Sequence, residues 1–227
     1  MAESTRPFHV TLAVVFQVRD GRLQVLLWQR AKDPFAGDWS LPGGYLEPGE
    51  TLEDSIRKHL AGKVDVQGLS HLEQLETRSD PDRHPREWQL ATAYLGIVPL
   101  GADPELPEDT SWHAVDELPK LAFDHRAITL AGRERLRAKL SYTNIGFALA
   151  PEAFTLSELR GIYAAALGHD VSATNLQRVL VRRGVLEPTG KRRASGRSGG
   201  RPAELFRFKT PRLEVTDQFA VLRPPGV

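Results

Sequence analysis

The sequence predicts an α+β protein of two domains: an N-terminal α/β/α sandwich over residues 1–150 and a small helix-turn-helix domain with a basic hairpin over residues 151–227. Three observations carry that prediction. In the first part, apolar runs with strand character alternate with stretches of helical spacing. In the second, two capped helices joined by a short turn precede a basic, Gly-rich hairpin. Charge divides along the same line. Residues 1–150 hold 17 Lys and Arg against 22 Asp and Glu, net −5, whereas residues 151–227 hold 13 against 7, net +6. The total of +1 conceals this split. An acidic front and a basic back suggest two tasks, and the basic one invites a polyanion.

The elements follow in order. Residues 8–18 (FHVTLAVVFQV) and 22–28 (RLQVLLW) are β-rich runs joined by Asp20-Gly21, a strong hairpin signal. Residues 29–44 are rich in Gly and Pro and read as loop. A short helix opens at Glu50, with Leu52, Ile56 and Leu60 on one apolar stripe, and Gly62 weakens its end. Residues 69–77 read as a strand, 78–89 as a long polar loop, 90–100 as a strong strand and 101–110 as acidic loop. Residues 124–140 read as an amphipathic helix with Asp124 as its N-cap. Residues 141–153 read as the connection between the domains.

In the second domain, Thr155 followed by Glu158 is a capping box. Leu156, Leu159, Tyr163, Ala166 and Leu167 recur on one face, and Gly168 stops the helix. The next helix opens at Ser172 and stops at Gly184, with Leu176, Val179 and Leu180 inside. Asn175, Arg178 and Arg182 share its outer face, and with Arg183 at its end they are the DNA contacts expected of this helix. Strand, basic loop and strand follow over 185–209, the loop carrying Lys191, Arg192, Arg193, Arg197 and Arg201. This is the layout of a winged helix-turn-helix. A helix of that kind enters the major groove, where Asn pairs with adenine and Arg with guanine in two-point contacts. The bland alternative, a solvated helix face and a basic linker, stays open for each residue taken singly.

Composition excludes several classes. An apolar content of 41% supports a core. No cysteine is present, so disulfides and thiolate zinc sites are excluded. The seven His show no His-x3-His spacing. No apolar run approaches the ~20 residues needed to span a bilayer, and the start MAESTRPFHV lacks a signal region. A cytoplasmic protein with no membrane partner is the expectation.

Residues 41–66 read LPGGYLEPGETLEDSIRKHLAGKVDV. The first half resembles the Nudix box, the metal-and-diphosphate signature of Nudix hydrolases. Gly44 and Glu50 hold its first two positions. The Arg-Glu pair that should follow is Lys58-His59, the Glu-Glu pair is Gly62-Lys63, and the closing Gly is Asp65. Diphosphate attack by water needs hard divalent cations, which want carboxylate oxygens. Here the metal-facing side of the helix offers an imidazole, a hydrogen atom and an ammonium. The fold signal survives and the metal signal does not, so neither a catalytic residue nor a metal site is expected. Glu47, Glu50, Glu53 and Asp54 remain as carboxylates and leave weak or non-standard metal binding open, the alternative being a solvated acidic first turn that suits the helix dipole.

Together the two halves resemble the Nudix-related transcriptional regulators of NAD metabolism over roughly residues 8–209. QRAKDPFAGDWSLPGGYLEPGETLED, SDPDRHPREWQLATAYLGIV, LPKLAFDHRAITLAGRERLRAKLSYT, FTLSELRGIYAAALG and GRPAELFRF carry the resemblance. It implies a Nudix α/β/α sandwich followed by the winged helix. It also implies a homodimeric repressor whose Nudix domain senses a nucleotide, typically ADP-ribose, and whose tail binds a palindromic operator. Without metal, a diphosphate needs protein cations; Arg30, Arg78, Arg83 and Arg86 lie in or beside the relevant loops. Phe35 and Trp39 offer a stacking face, with loop packing as the alternative, and Glu50 completes the expected ligand set. The rival reading is an active ADP-ribose pyrophosphatase with an incidental basic tail.

Overall fold

The computed structural model describes residues 6–64, 68–194 and 202–217. Asp65, Val66, Arg197 and Arg201 lie outside them, as does the side chain of Lys63.

Two long strands, β1 (Phe8–Arg19) and β2 (Arg22–Gln29), are joined at Asp20 and Gly21, with φ of 50° and 73°. Two positive φ values in sequence match the twist of flanking strands, which is why this dipeptide makes a tight hairpin. After the short β3 (Trp39–Ser40) and β4 (Gly43–Tyr45) comes α1 (Leu52–Val64). Then follow β5 (His71–Arg78), β6 (Gln89–Ile97), β7 (Thr110–Ala114) and α2 (His125–Tyr142). The strands form one mixed sheet in the order β3-β2-β1-β6-β5, with β4 on β1 and β7 on β2. β1 and β6 are parallel and in register from Phe8↔Gln89 to Phe16↔Ile97.

β1 is buried on both faces, and its alternation assigns each face to a helix. Ala13 and Val15 pack with Ile56 and Leu60 of α1, under Trp28 and Leu52. Val14 and Phe16 face α2, where a Cβ on Gly132 would lie 3.0 Å from Val14 and 3.4 Å from Phe16. Helix, sheet and helix therefore form the sandwich that the sequence predicts.

The structure corrects the reading in three places. Residues 29–44 are not all loop, since β3 and the start of β4 lie in them. β7 was not predicted; it forms by antiparallel pairing with β2, from Gln24↔Ala114 to Trp28↔Thr110. Residues 141–153, read only as a connection, are themselves structured. They hold the short α3 (Gly146–Leu149), and Ile145, Ala148 and Leu149 are fully buried.

Residues 18–23, 99–101 and the described residues from 134 onward form a second compact unit. It contains α4 (Leu156–Leu167), α5 (Ala173–Arg182), β8 (Leu186–Arg193) and β9 (Ala203–Phe208). The Thr155–Glu158 capping box is present in both directions. Gly168 ends α4 in the left-handed region at φ 75°, which glycine adopts at little cost. Ser172 accepts from the Asn175 amide and caps α5. β8 and β9 pair antiparallel, and Phe154 adds a bridge to Phe206. Leu159, Ile162, Tyr163, Ala166, Leu176 and Leu180 close the core of this winged helix. Ile162 extends the predicted stripe. No helix among the described residues is long and apolar enough to cross a membrane.

Candidate functional site

In the first unit, the loops after β2 and before β6, with the turn into α2, surround a cavity of about 590 Å³. Arg30 and Arg86 bring cationic groups to it, and Glu87 a carboxylate. Arg30 is held in place. Its Nε donates to the Pro34 carbonyl at 2.9 Å, and its guanidinium lies 4.8 Å from the centroid of Phe123. His84 stacks on Phe123 at 5.2 Å and 19°. Burial lowers the His84 pKa, which suits its bonding, because Nδ1 accepts from the Arg86 and Glu87 amides at 3.3 and 3.1 Å. Tyr45 donates to Glu87 at 2.9 Å across the cavity wall.

The cavity floor is rigid. His125 is fully buried, and desolvation takes its pKa to about 3. As a neutral ring it accepts at Nδ1 from the Leu41 amide at 3.1 Å and the Ser40 hydroxyl at 3.0 Å. The end of β3, just before the box, is thereby tied to α2.

Of the seven residues expected on a ligand, the structure brings Arg30 and Arg86 to the cavity. Arg83 is elsewhere. Its side chain is 2% exposed and binds Asp124 at 2.9 Å and Gln89. Asp124 sits immediately before α2, where its N-cap was expected, and its carboxylate receives this guanidinium. Arg78 pairs with Glu76 at 2.7 Å. Trp39 packs edge-on against His113 at 4.3 Å, and Phe35 against Phe123 at 4.9 Å, the loop packing that was their alternative. The sequence reading missed Tyr45, His84, Glu87, Phe123 and His125. Their signal was the RHPREW and AFDH stretches, where polar and aromatic groups crowd beside a strand and a helix start.

The box carboxylates Glu50, Glu53 and Asp54 are engaged with neighbouring groups. Glu50 takes the Lys58 ammonium and the Glu47 amide, and this pairing lowers its pKa. His59 donates from Nε2 to the Tyr45 carbonyl at 3.0 Å. Its ring lies so close to Gly44 that a Cβ there would come within 2.5 Å of it. Glu53 pairs with Arg57 at 2.8 Å, and Asp54 accepts from Thr51 at 2.7 Å. Among the described residues no cluster of three or more His, Asp or Glu is arranged to hold a metal ion. The groups present do not fit the divalent cation that an intact Nudix box binds.

In the second unit, α5 exposes Asn175, Arg178 and Arg182 together, as predicted. Arg178 donates to the Asn175 side-chain oxygen at 2.9 Å. Lys191 and Arg192 are exposed on the hairpin, and Arg193 is paired with Glu158. Arg183 departs from the expectation. Its side chain is 9% exposed, and it donates to the Ser141 carbonyl and to Asp217 at 3.0 Å. That arginine holds the fold, because it falls at i+7 from Leu176 and i+3 from Leu180, on the buried face of the helix.

Comparison with known proteins follows the same division. Residues 7–131 match the NUDIX domain, and residues 146–208 match the NrtR DNA-binding winged helix domain. The ADPR responsive transcriptional repressor NtrR of Acinetobacter baylyi is 33% identical over 201 residues, 86% of this chain and 79% of that protein. The crystal structure of Shewanella oneidensis NrtR complexed with a 27mer DNA superposes with a TM-score of 0.76 at 33% identity, covering 89% of this chain and 93% of that one. The NUDIX domain of the Shewanella protein complexed with ADP ribose gives 0.52 at 34% identity, over 58% of this chain and 90% of that one. The chain belongs to the NrtR family, in which a Nudix domain is followed by a winged helix domain.

Proposed function

We propose that this protein is a DNA-binding transcriptional repressor of genes for NAD biosynthesis or salvage, acting as a cytoplasmic homodimer on a palindromic operator. Its Nudix domain senses ADP-ribose or a related NAD metabolite and does not cleave it. One observation carries the reading. The box carboxylate Glu50 is neutralised by Lys58, while Arg30 and Arg86 line an open cavity that Gly44 of the box also lines. Such a site keeps the means to hold a diphosphate and lacks the means to activate water on one. In the same chain, α5 presents its Asn175, Arg178 and Arg182 face to solvent. The relatives crystallised with DNA and with ADP ribose support both halves of the proposal.

The test is a gel-shift titration on the promoter of a neighbouring NAD-metabolism gene, with ADP-ribose raised to millimolar. Weaker DNA binding with the ADP-ribose recovered intact supports the proposal. Unchanged operator affinity sinks the sensing role. Release of AMP in the presence of Mg²⁺ or Mn²⁺ favours the rival pyrophosphatase. Calorimetric titration of ADP-ribose in EDTA should match that in Mg²⁺, because protein cations replace the metal.

A further inference from the structure

α5 places an apolar side chain where a DNA-reading helix meets the bases. Its buried residues are Leu176 and Leu180. At about 100° per residue, Arg178 points directly opposite them, with Asn175 and Arg182 on one side of it and Thr174 and Val181 on the other, none more than about 60° away. Thr174, Arg178 and Val181 are all exposed, Val181 by 56%. A lone exposed valine is ordinary. This one sits one turn beyond Arg178, which the Asn175 side chain holds at 2.9 Å, and beside Arg182 on a helix with no acidic residue. The basic surroundings fit a polyanion better than a second copy of an equally basic helix.

We propose that Val181 reads a thymine in the operator through the base's 5-methyl group, beside the base pair that Arg178 contacts. In the major groove only thymine presents a methyl group, and apolar side chains are its natural partner. The γ-methyl groups of Val181 supply that partner, and the methyl of Thr174 lies on the same side of Arg178, toward the start of the helix. The inference rests on the DNA-binding reading above and adds to it a base and the side chain that selects it.

The experiment starts from a random duplex library, from which the full-length protein selects its tightest sequence. Each thymine of that duplex is then replaced singly by deoxyuridine, which removes only the methyl group. Affinities of wild type and Val181→Ala are measured by fluorescence anisotropy. Alanine favours the helix and Val181 is exposed, so the variant folds. At one thymine per half-site, wild type should lose about fourfold on deoxyuridine, the effect of burying one methyl group. Val181→Ala should bind the thymine duplex more weakly and lose little further at that position. If both proteins respond alike at every thymine, the proposal is overturned while the DNA-binding reading stands. If Val181→Ala alters self-association and leaves the scan unchanged, Val181 belongs to a protein interface and the proposal is again overturned. If selection enriches no duplex, the DNA-binding reading fails and this proposal fails with it.

Discussion

At Arg83 a guanidinium serves the fold rather than a ligand. It joins the loop before β6 to the turn into α2 through Asp124 and Gln89. Removing one partner of a buried pair leaves the other uncompensated, at a cost of about 3 kcal/mol. Asp124 is 23% exposed, which relieves part of that cost. Arg83→Ala should therefore lower the melting temperature by several degrees, and adding Asp124→Asn should restore part of it. Equal melting of the single and double variants would contradict the pairing. His125 makes a second prediction at this scale. Burial lowers its pKa from the ordinary 6.5 to about 3, so between these values the unfolded chain binds a proton that the folded chain does not. Stability is then complete above pH 6.5 and falls as pH drops toward 3, by up to about 1.4 kcal/mol per pH unit from this group. Urea midpoints at pH 7 and pH 5 should show the loss. His125→Asn keeps an acceptor near the Nδ1 position and should flatten the dependence.

The elements whose cause is local were the ones legible in the sequence. The Asp20-Gly21 turn, the Thr155–Glu158 box and the Gly168 stop appear where their residues demand. β3 and β7 were not legible, because each exists through pairing with β2, which no local spacing reports. The site divides in the same way. Arg30 and Arg86 reach the cavity. Arg83 does not reach the cavity and Arg183 does not reach the outer face of α5, because their partners Asp124 and Asp217 lie 41 and 34 positions away. Seen only in sequence, such an arginine looks available. The hairpin of β8 and β9 shows what the remaining cations do. Lys191 and Arg192 are exposed, whereas Arg193 is held by Glu158 at the start of α4. Each phosphate contact contributes about 0.9 to the slope of log affinity against log salt. Lys191→Ala and Arg192→Ala should each lower that slope by about this amount on the selected duplex, and Arg193→Ala by less. A slope unchanged in the first two would remove the hairpin from the DNA contact.

For the whole molecule, the first 150 residues are acidic and the remainder basic, so the half proposed to bind DNA carries the charge that attracts a polyanion. The function needs the two sites to be coupled, and coupling at equilibrium is reciprocal. If ADP-ribose weakens operator binding by some factor, operator must weaken ADP-ribose binding by the same factor, typically about 5- to 150-fold. The box makes this a sharp test. With Glu50 neutralised by Lys58 and the His59 ring seated against Gly44, the effector should persist through the measurement, and the thermodynamic cycle should close. A protein that cleaved ADP-ribose would deplete it, and the two factors would diverge with incubation time. The measurement is four dissociation constants: DNA with and without saturating ADP-ribose, and ADP-ribose with and without saturating DNA. Equal ratios, stable over hours and unaffected by EDTA, are the expected outcome. Equal ratios of one would mean two independent sites in one chain. Ratios that drift apart, with AMP accumulating, would return the protein to the hydrolases.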